Sequence, residues 1–308
     1  MLPHSYKATP VNLVVILTNL ARERFINHSS KQSNRTTAAK DVKLTTEIKL
    51  RVHQEAIPEI DRYLANYGSY ELKDKTPEYE RYLSYVGKLR KIDASMRILE
   101  VGTGTGWFPL LCKANGLRCK GLEISPQLVD FAMQVGKRNG IVPDIELGNV
   151  EDNDIGVDQY DVIIASNVFE HVEHWRSGLA KIYQALKPGG VMFFESTNKF
   201  SFAKSGEFGK FPLYGWLPNF ARYRLRMITH GKDIMKLGID FNQFRHGLLR
   251  REFKKLGFRK ILDVVDLIDA NRLSPLKRSV TLASRRIPPA RWLLLTFVMP
   301  ATTFVCQK

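Results

Sequence analysis

From Met96 onward, short apolar runs alternate with segments whose apolar residues recur at helical spacing. Arg97–Val101 (RILEV), Lys120–Ile124 (KGLEI), Asp144–Leu147, Tyr160–Ser166 (YDVIIAS) and Val191–Ser196 (VMFFES) have the length and β-branched or aromatic content of strands. Between them, Trp107–Asn115, Ser125–Asn139 and Trp175–Leu186 carry helical patterning. Ser125 is placed to cap its helix and Pro126 to occupy the first turn. Lys187-Pro188-Gly189-Gly190 stops the third helix. Strands alternating with helices predict an α/β fold with a parallel sheet covered on both faces. Ligands of such sheets bind beyond the carboxyl ends of the strands, so the residues just after each strand hold the chemistry.

Other stretches follow different patterns. Val11–Leu20 is an apolar helix candidate, and residues 28–45 are a polar linker. Residues 46–95 form a helical extension whose tyrosines read as packing residues. Residues 96–308 make the α/β domain, and about 199–245 are a lid inserted after the fifth strand. Val11–Leu20 and Trp292–Cys306 are both shorter than the roughly 20 apolar residues a spanning helix needs, so no transmembrane helix is expected. The second stretch reads as a helix plus a final strand. The first is either a docking helix or a membrane contact.

Composition adds one asymmetry. The chain has 308 residues and a net charge of +16. Residues 199–308 hold 22 Lys and Arg against 7 Asp and Glu, whereas residues 91–198 hold 10 against 14. The positive field of the last third favours anionic partners. Three cysteines without a CxxC pair argue against a zinc ribbon or a disulfide framework, and fit a reducing compartment.

The first strand leads into Glu100–Trp107, EVGTGTGW. Gly102, Gly104 and Gly106 let the backbone turn sharply and approach a ligand closely. A dinucleotide fingerprint would place a small residue where Trp107 stands, and no GK[ST] follows for a P-loop. The GxGxG spacing behind Glu100 resembles motif I of class I S-adenosylmethionine (SAM) dependent methyltransferases. The segments GLEIS at Glu123, Gly148-Asn149-Val150-Glu151, Asn167–Val172 (NVFEHV), KPGG, and Leu256-Gly257-Phe258 before a sixth strand extend the resemblance, as does Thr302–Lys308 as a last antiparallel strand. The cast is that of ubiquinone-biosynthesis-type small-molecule O-methyltransferases.

The resemblance implies a Rossmann-like, mostly parallel seven-stranded sheet and SAM as cofactor. It places Glu100, Gly102, Thr103, Gly104, Gly106, Glu123, Ile124, Asn149, Val150 and Asn167 around the cofactor. Glu123 would hold the ribose hydroxyls, and the amide of Asn149 would stand where relatives carry an aspartate at the adenine. Glu100 either contacts the ligand or bonds the loop itself. The metal-holding ExxEHV segment of ubiquinone-type enzymes has Asn167 in place of its first acid, so no metal is expected. His171 follows the fourth strand, and its unperturbed pKa of about 6.5 suits a general base. The alternative reading is a histidine that caps or packs the next helix. Glu170 would orient the imidazole or face solvent.

In the lid region, Asn198, Tyr214, Trp216, His230 and His246 are candidates to line an acceptor site. The aromatics and cations there point to a small-molecule acceptor that is lipid-like or anionic, with peripheral contact to an anionic membrane as a further expectation. A cytoplasmic location is expected, including the inner face of a membrane. Nucleic acid is the less favoured acceptor, because neither an NPPY or DPPY segment nor a Pro-Cys nucleophile is present. A non-catalytic partner protein of the same fold is the remaining alternative. The acceptor and the oligomeric state are not specified by these patterns.

Overall fold

In a computed structural model of the chain, the residues described are 64, 68–202, 213–230 and 242–308. The Val11–Leu20 segment, the 28–45 linker and residues 46–63 and 65–67 of the 46–95 extension lie outside them. Seven strands form one sheet in the order β3-β2-β1-β4-β5-β7-β6. They are β1 (Arg97–Val101), β2 (Arg118–Glu123), β3 (Asp144–Leu147), β4 (Tyr160–Ser166), β5 (Leu186–Thr197), β6 (Lys260–Asp263) and β7 (Ala301–Gln307). β1 to β5 pair in parallel, and β7 runs antiparallel between β5 and β6. The strand order reverses between β1 and β4, and ligands of such sheets bind outside the carboxyl ends of the strands at that switch point.

The period-2 alternation of strand side chains divides the core into two layers. Ile98, Val162, Ile164, Val191, Phe193 and Val305 face one side of the sheet. Helix α1 (Thr76–Val86) and helix α2 (Trp107–Ala114) cover them, through Tyr79, Tyr82 and Val86 and through Phe108, Leu111 and Cys112. Leu99, Ile163, Ala165, Met192, Phe194 and Phe304 face the other side. There the covering residues are Trp175, Leu179 and Ile182 of α4 (Trp175–Ala185), and Leu249 and Phe253 of α6 (His246–Leu256). Between these, α3 (Pro126–Arg138) follows β2, and α5 (Asn219–His230) lies in the long connection after β5. Ser125 caps α3 by accepting from the Leu128 N–H at 3.4 Å.

Two features differ from the sequence expectation. KPGG does not lie outside the fifth strand. Leu186 already pairs with Tyr160, the tetrapeptide bulges out, and pairing resumes at Val191 with Val162. Gly189 makes that bulge possible with φ +76°. Second, the connection from β6 to β7 holds three helices: α7 (Val264–Leu267), α8 (Pro275–Arg286) and α9 (Pro288–Leu293). A π-helical turn, Leu294–Val298, then leads into β7. Among the described residues no helix is long and apolar enough to cross a membrane.

Asp161 fastens the amino-terminal edge of the sheet. Its buried carboxylate accepts from Arg90 at 2.8 Å, from Lys187 at 2.7 Å and from the Arg97 N–H at 3.0 Å. Burial alone would push its pKa up, but these donors outweigh burial and hold the carboxyl below its ordinary range. A depressed folded-state pKa means that this stabilisation is present above the unfolded value and is lost as pH falls through the folded one. Asp161→Ala is therefore expected to lower urea-unfolding stability by about 2 kcal/mol at neutral pH, with the difference from wild type shrinking below about pH 4.

Candidate active site

The site is assembled where β1, β2 and β4 end. Gly102, Gly104 and Gly106 all have left-handed backbone, with φ +70°, +55° and +78°. Packing imposes a second demand at two of them. A Cβ on Gly102 would lie 2.3 Å from a methyl of Val168, and one on Gly106 would lie 2.4 Å from Cβ of Ala132. The turn is thus pressed against the β4 loop on one side and α3 on the other.

The parallel register sets Val101 beside Leu122, so the next residue of β2, Glu123, falls beside the glycine turn. Glu123 is buried, and its carboxylate accepts from the Gly104 N–H at 2.6 Å and the Ser125 N–H at 3.0 Å. Burial pushes its pKa up; the bonds from Gly104, Ser125 and Ile124 and the charge of His171 pull it back, leaving a net rise. Ile124, immediately after it, exposes its apolar side chain.

Glu100 bonds the loop itself, since the Thr103 hydroxyl donates to its carboxylate. Its burial raises the pKa well above the ordinary carboxylate range, and the neighbouring charge of Glu123 adds to the rise. After β3, Asn149 closes its own turn: its amide oxygen accepts from the Glu151 N–H at 3.0 Å and its amide nitrogen donates to Asp152 at 3.2 Å. Val150 is buried.

Beyond β4, Asn167 is left-handed at φ +51°, and its N–H donates to the Glu195 carbonyl at 2.8 Å. His171 is half-buried and lies within electrostatic reach of Glu123. Glu170 does not face solvent. It is buried and accepts from the Ser196 hydroxyl at 2.6 Å. Asn242 holds the segment in place: it donates to the carbonyls of Glu170 at 3.0 Å, Phe169 at 3.2 Å and Val172 at 2.6 Å.

The five expected acceptor-lining residues are dispersed. Asn198 is buried, and its amide nitrogen donates to the carbonyls of Leu295, Thr296 and Met299 at 2.9, 3.1 and 2.8 Å. Its donors are consumed in holding the π-helical turn rather than offered to a ligand. His246 stacks on Phe304, with ring centroids 4.6 Å apart, and stands 3.3 Å from the buried Asp263 carboxylate. That carboxylate also pairs with Arg291 at 2.7 Å, which makes the group a fastening between β6, α6 and α9. Tyr214 is buried beneath the guanidinium of Arg222, 5.8 Å from its ring. Trp216 joins Phe200, Phe202 and Phe297 in an aromatic group. His230 ends α5, and its side chain lies outside what is described.

Sequence reasoning missed three elements of the site wall. The Tyr70 hydroxyl donates to the Thr105 carbonyl at 3.1 Å, bringing the chain before α1 onto the glycine turn. Arg81 of α1 makes a bidentate pair with Glu195 at 2.8 and 2.9 Å. Asn242 is the third. None carries a local signal, because each partner is distant in sequence.

The residues present fit an adenosyl sulfonium. A carboxylate offers about four lone-pair sites, so the backbone donors on Glu123 do not saturate it, and a sugar diol can share it. An apolar side chain lies next to it at Ile124, and bare glycine backbone lies above it. Among the described residues no group of three or more His, Cys, Asp or Glu side chains converges to hold a metal.

A family model described as a methyltransferase domain matches residues 70–262, more than half of the chain. The chain belongs to this methyltransferase family. Its class is the class I SAM-dependent one, with SAM as cofactor. The chain is similar to a malonyl-[acyl-carrier protein] O-methyltransferase of Serratia marcescens, 26% identical over 111 residues, which are 36% of this chain and 42% of that protein. It is also similar to a ubiquinone biosynthesis O-methyltransferase of Erwinia tasmaniensis, 29% identical over 143 residues, 46% of this chain and 54% of that protein. The chain thus spans about half the length of these curated relatives. A solved SAM-dependent methyltransferase from Archaeoglobus fulgidus superposes with a TM-score of 0.48 at 17% identity, over 81% of this chain and 99% of that one.

The raised pKa of Glu100 gives a signed expectation. A carboxyl whose folded pKa exceeds its unfolded one destabilises the fold progressively as pH rises from about 4.3 to the raised value. Glu100→Gln removes that titration. Its melting temperature should fall less than that of wild type across this interval in a pH series of thermal melts.

Proposed function

We propose that this methyltransferase transfers the methyl group of SAM to a hydroxyl oxygen of a lipophilic or anionic small molecule. The observation that carries the reading is the buried Glu123 carboxylate against the Gly104 N–H, with His171 in electrostatic range across the same crevice. SAM supplies an already activated methyl group on sulfur.

The chain's residues then have three tasks. Glu123 binds the ribose hydroxyls, each charge-assisted bond contributing about 1.5–3 kcal/mol. Gly102 to Gly106, with Thr103, shape the floor under the cofactor, while Ile124, Asn149 and Val150 border the base. The turn at Asn167 to Val172 orients the acceptor, and holding the reacting atoms in line contributes a large part of the rate. His171 takes the hydroxyl proton as the bond to carbon forms. Its placement follows from Asn242, which fixes the backbone on either side of it. The 199–245 insertion is proposed to close over the acceptor, and the chain just before α1 adds to the site wall through the Tyr70 bond to the turn. A lipophilic acceptor would place the enzyme at the inner face of a membrane, as a peripheral protein.

Glu123→Ala is expected to weaken SAM binding at least 100-fold by titration calorimetry while the circular dichroism spectrum is retained, since two charge-assisted bonds are removed. Unchanged affinity would refute the ribose assignment. His171→Ala is expected to lower turnover about 10²–10⁴-fold with SAM affinity unaltered. The assay is methyl-labelled SAM with a lipid and metabolite extract, read by mass spectrometry of labelled products, and a product methylated on nitrogen or carbon would overturn the hydroxyl assignment.

A further inference from the structure

Helix α8 turns its polar side to the protein and its apolar side to solvent. Thr281 and Ser284 are its buried residues. Their hydroxyls are satisfied inside the helix, donating to the carbonyls of Lys277 and Val280 at 2.8 Å each. Leu276, Val280, Ala283 and Ile287, spaced by four, three and four, form one stripe on the exposed surface, and Leu276 is 77% exposed. An ordinary surface helix has the opposite arrangement, with its apolar stripe on the core.

The apolar surface continues into α9. Trp292 and Leu293 are exposed at 59% and 51%, and Val298 follows on the π-helical turn. Trp292 packs edge-on against Phe297 at 5.5 Å, and Phe297 stacks on Phe202 at 5.5 Å. The patch therefore reaches the loop after β5, at the carboxyl end of the sheet. Exposed apolar residues grouped in this way mark a docking surface. Cations surround it: Lys277, Arg278 and Arg286 are all exposed. From 270 to 308 the chain has seven Lys and Arg and not one Asp or Glu.

We propose that the α8–α9 surface docks on an anionic phospholipid bilayer, with Leu276, Ile287, Trp292 and Leu293 entering the interface and Lys277, Arg278 and Arg286 lying at the headgroups. Charge decides among the occupants. A second copy of the same face would oppose cation to cation without a carboxylate between them. A nucleic acid would use the cations but leave the aliphatic stripe in water. An anionic bilayer satisfies both, and a tryptophan among the aliphatic residues suits the headgroup boundary. The surface proposal does not rest on the hydroxyl-acceptor reading.

The test is sedimentation of the full chain with vesicles of equimolar phosphatidylglycerol and phosphatidylcholine, against vesicles of phosphatidylcholine alone. Wild type should bind the anionic vesicles and not the neutral ones. A Lys277→Gln/Arg278→Gln/Arg286→Gln variant should bind them about 100-fold more weakly, at roughly five-fold per cation. A Leu276→Gln/Ile287→Gln/Trp292→Gln variant should lose binding. All six side chains are exposed, and both variants should keep wild-type SAM affinity. Tryptophan emission should shift to the blue on adding anionic vesicles, and Trp292→Phe should remove that shift. Equal vesicle affinity in wild type and both variants would overturn the proposal, as would an emission shift retained in Trp292→Phe. So would absent vesicle binding, whether alone, with single-stranded RNA binding that the cation variant loses, or with a dimer that the apolar variant loses.

Discussion

The contact between the Glu123 carboxylate and the Gly104 N–H is the constraint on which the site depends. It requires a strand ending in an acid, a neighbouring parallel strand ending one step earlier, and a turn able to direct a backbone donor sideways. The register of β1 with β2 supplies the second condition, and the left-handed glycines supply the third. The contact is short and buried, so it fixes the floor of the crevice before any ligand enters. Pre-set polar geometry of this kind avoids reorganisation when charge moves.

The surrounding structure serves to hold that floor still. Gly102 allows Val168 to press on the turn, and Val168 leads directly to Phe169, Glu170 and His171. Glu170 is anchored by Ser196 of β5, while Asn242 grips three carbonyls in the same stretch. On the other face Arg81 joins α1 to Glu195, and Glu195 also accepts from Thr303 of β7 at 2.8 Å. The turn after β4 is thus bounded by β5, β7, α1 and the segment at Asn242.

Much of this was legible in the sequence because it is local. Short runs of apolar, β-branched and aromatic residues located β1 to β5, the spacing of three glycines located the turn, and the resemblance of GLEIS to the family's second-strand segment singled out Glu123. Of the β6–β7 helices, the one leading into the last strand was legible, and α8 was not, for a physical reason. Apolar periodicity assigns the apolar stripe of a helix to the core, and in α8 that stripe lies outside while Thr281 and Ser284 are buried. Asn198 and His246 were expected to line the acceptor site because they border the segment read as its cover. In the fold each finds nearer partners, Asn198 in the carbonyls of the π-helical turn and His246 in Asp263. Spacing along a chain cannot reveal such competition when the partners are about 100 positions away, as they are for Asn198. Arg81 and Glu195, 114 positions apart, were hidden for the same reason.

The same fastenings also connect the basic third of the chain to the crevice. Asn198 directly follows β5 and clamps the turn at 294–299, so the exposed apolar face is tied to the strand that borders His171 and Glu170. Asp263 ties α9 back to β6 through Arg291, and burial alone would raise its pKa, but His246 and Arg291 hold it below the ordinary carboxylate range. A face held at both ends cannot swing independently of the sheet. Whatever contacts α8 and α9 therefore acquires a fixed orientation relative to the carboxyl ends of the strands. This explains how a charge excess concentrated in residues 199–308 can coexist with a crevice built from a net acidic segment: the two are separate in sequence and in chemistry, and joined by a few buried polar side chains.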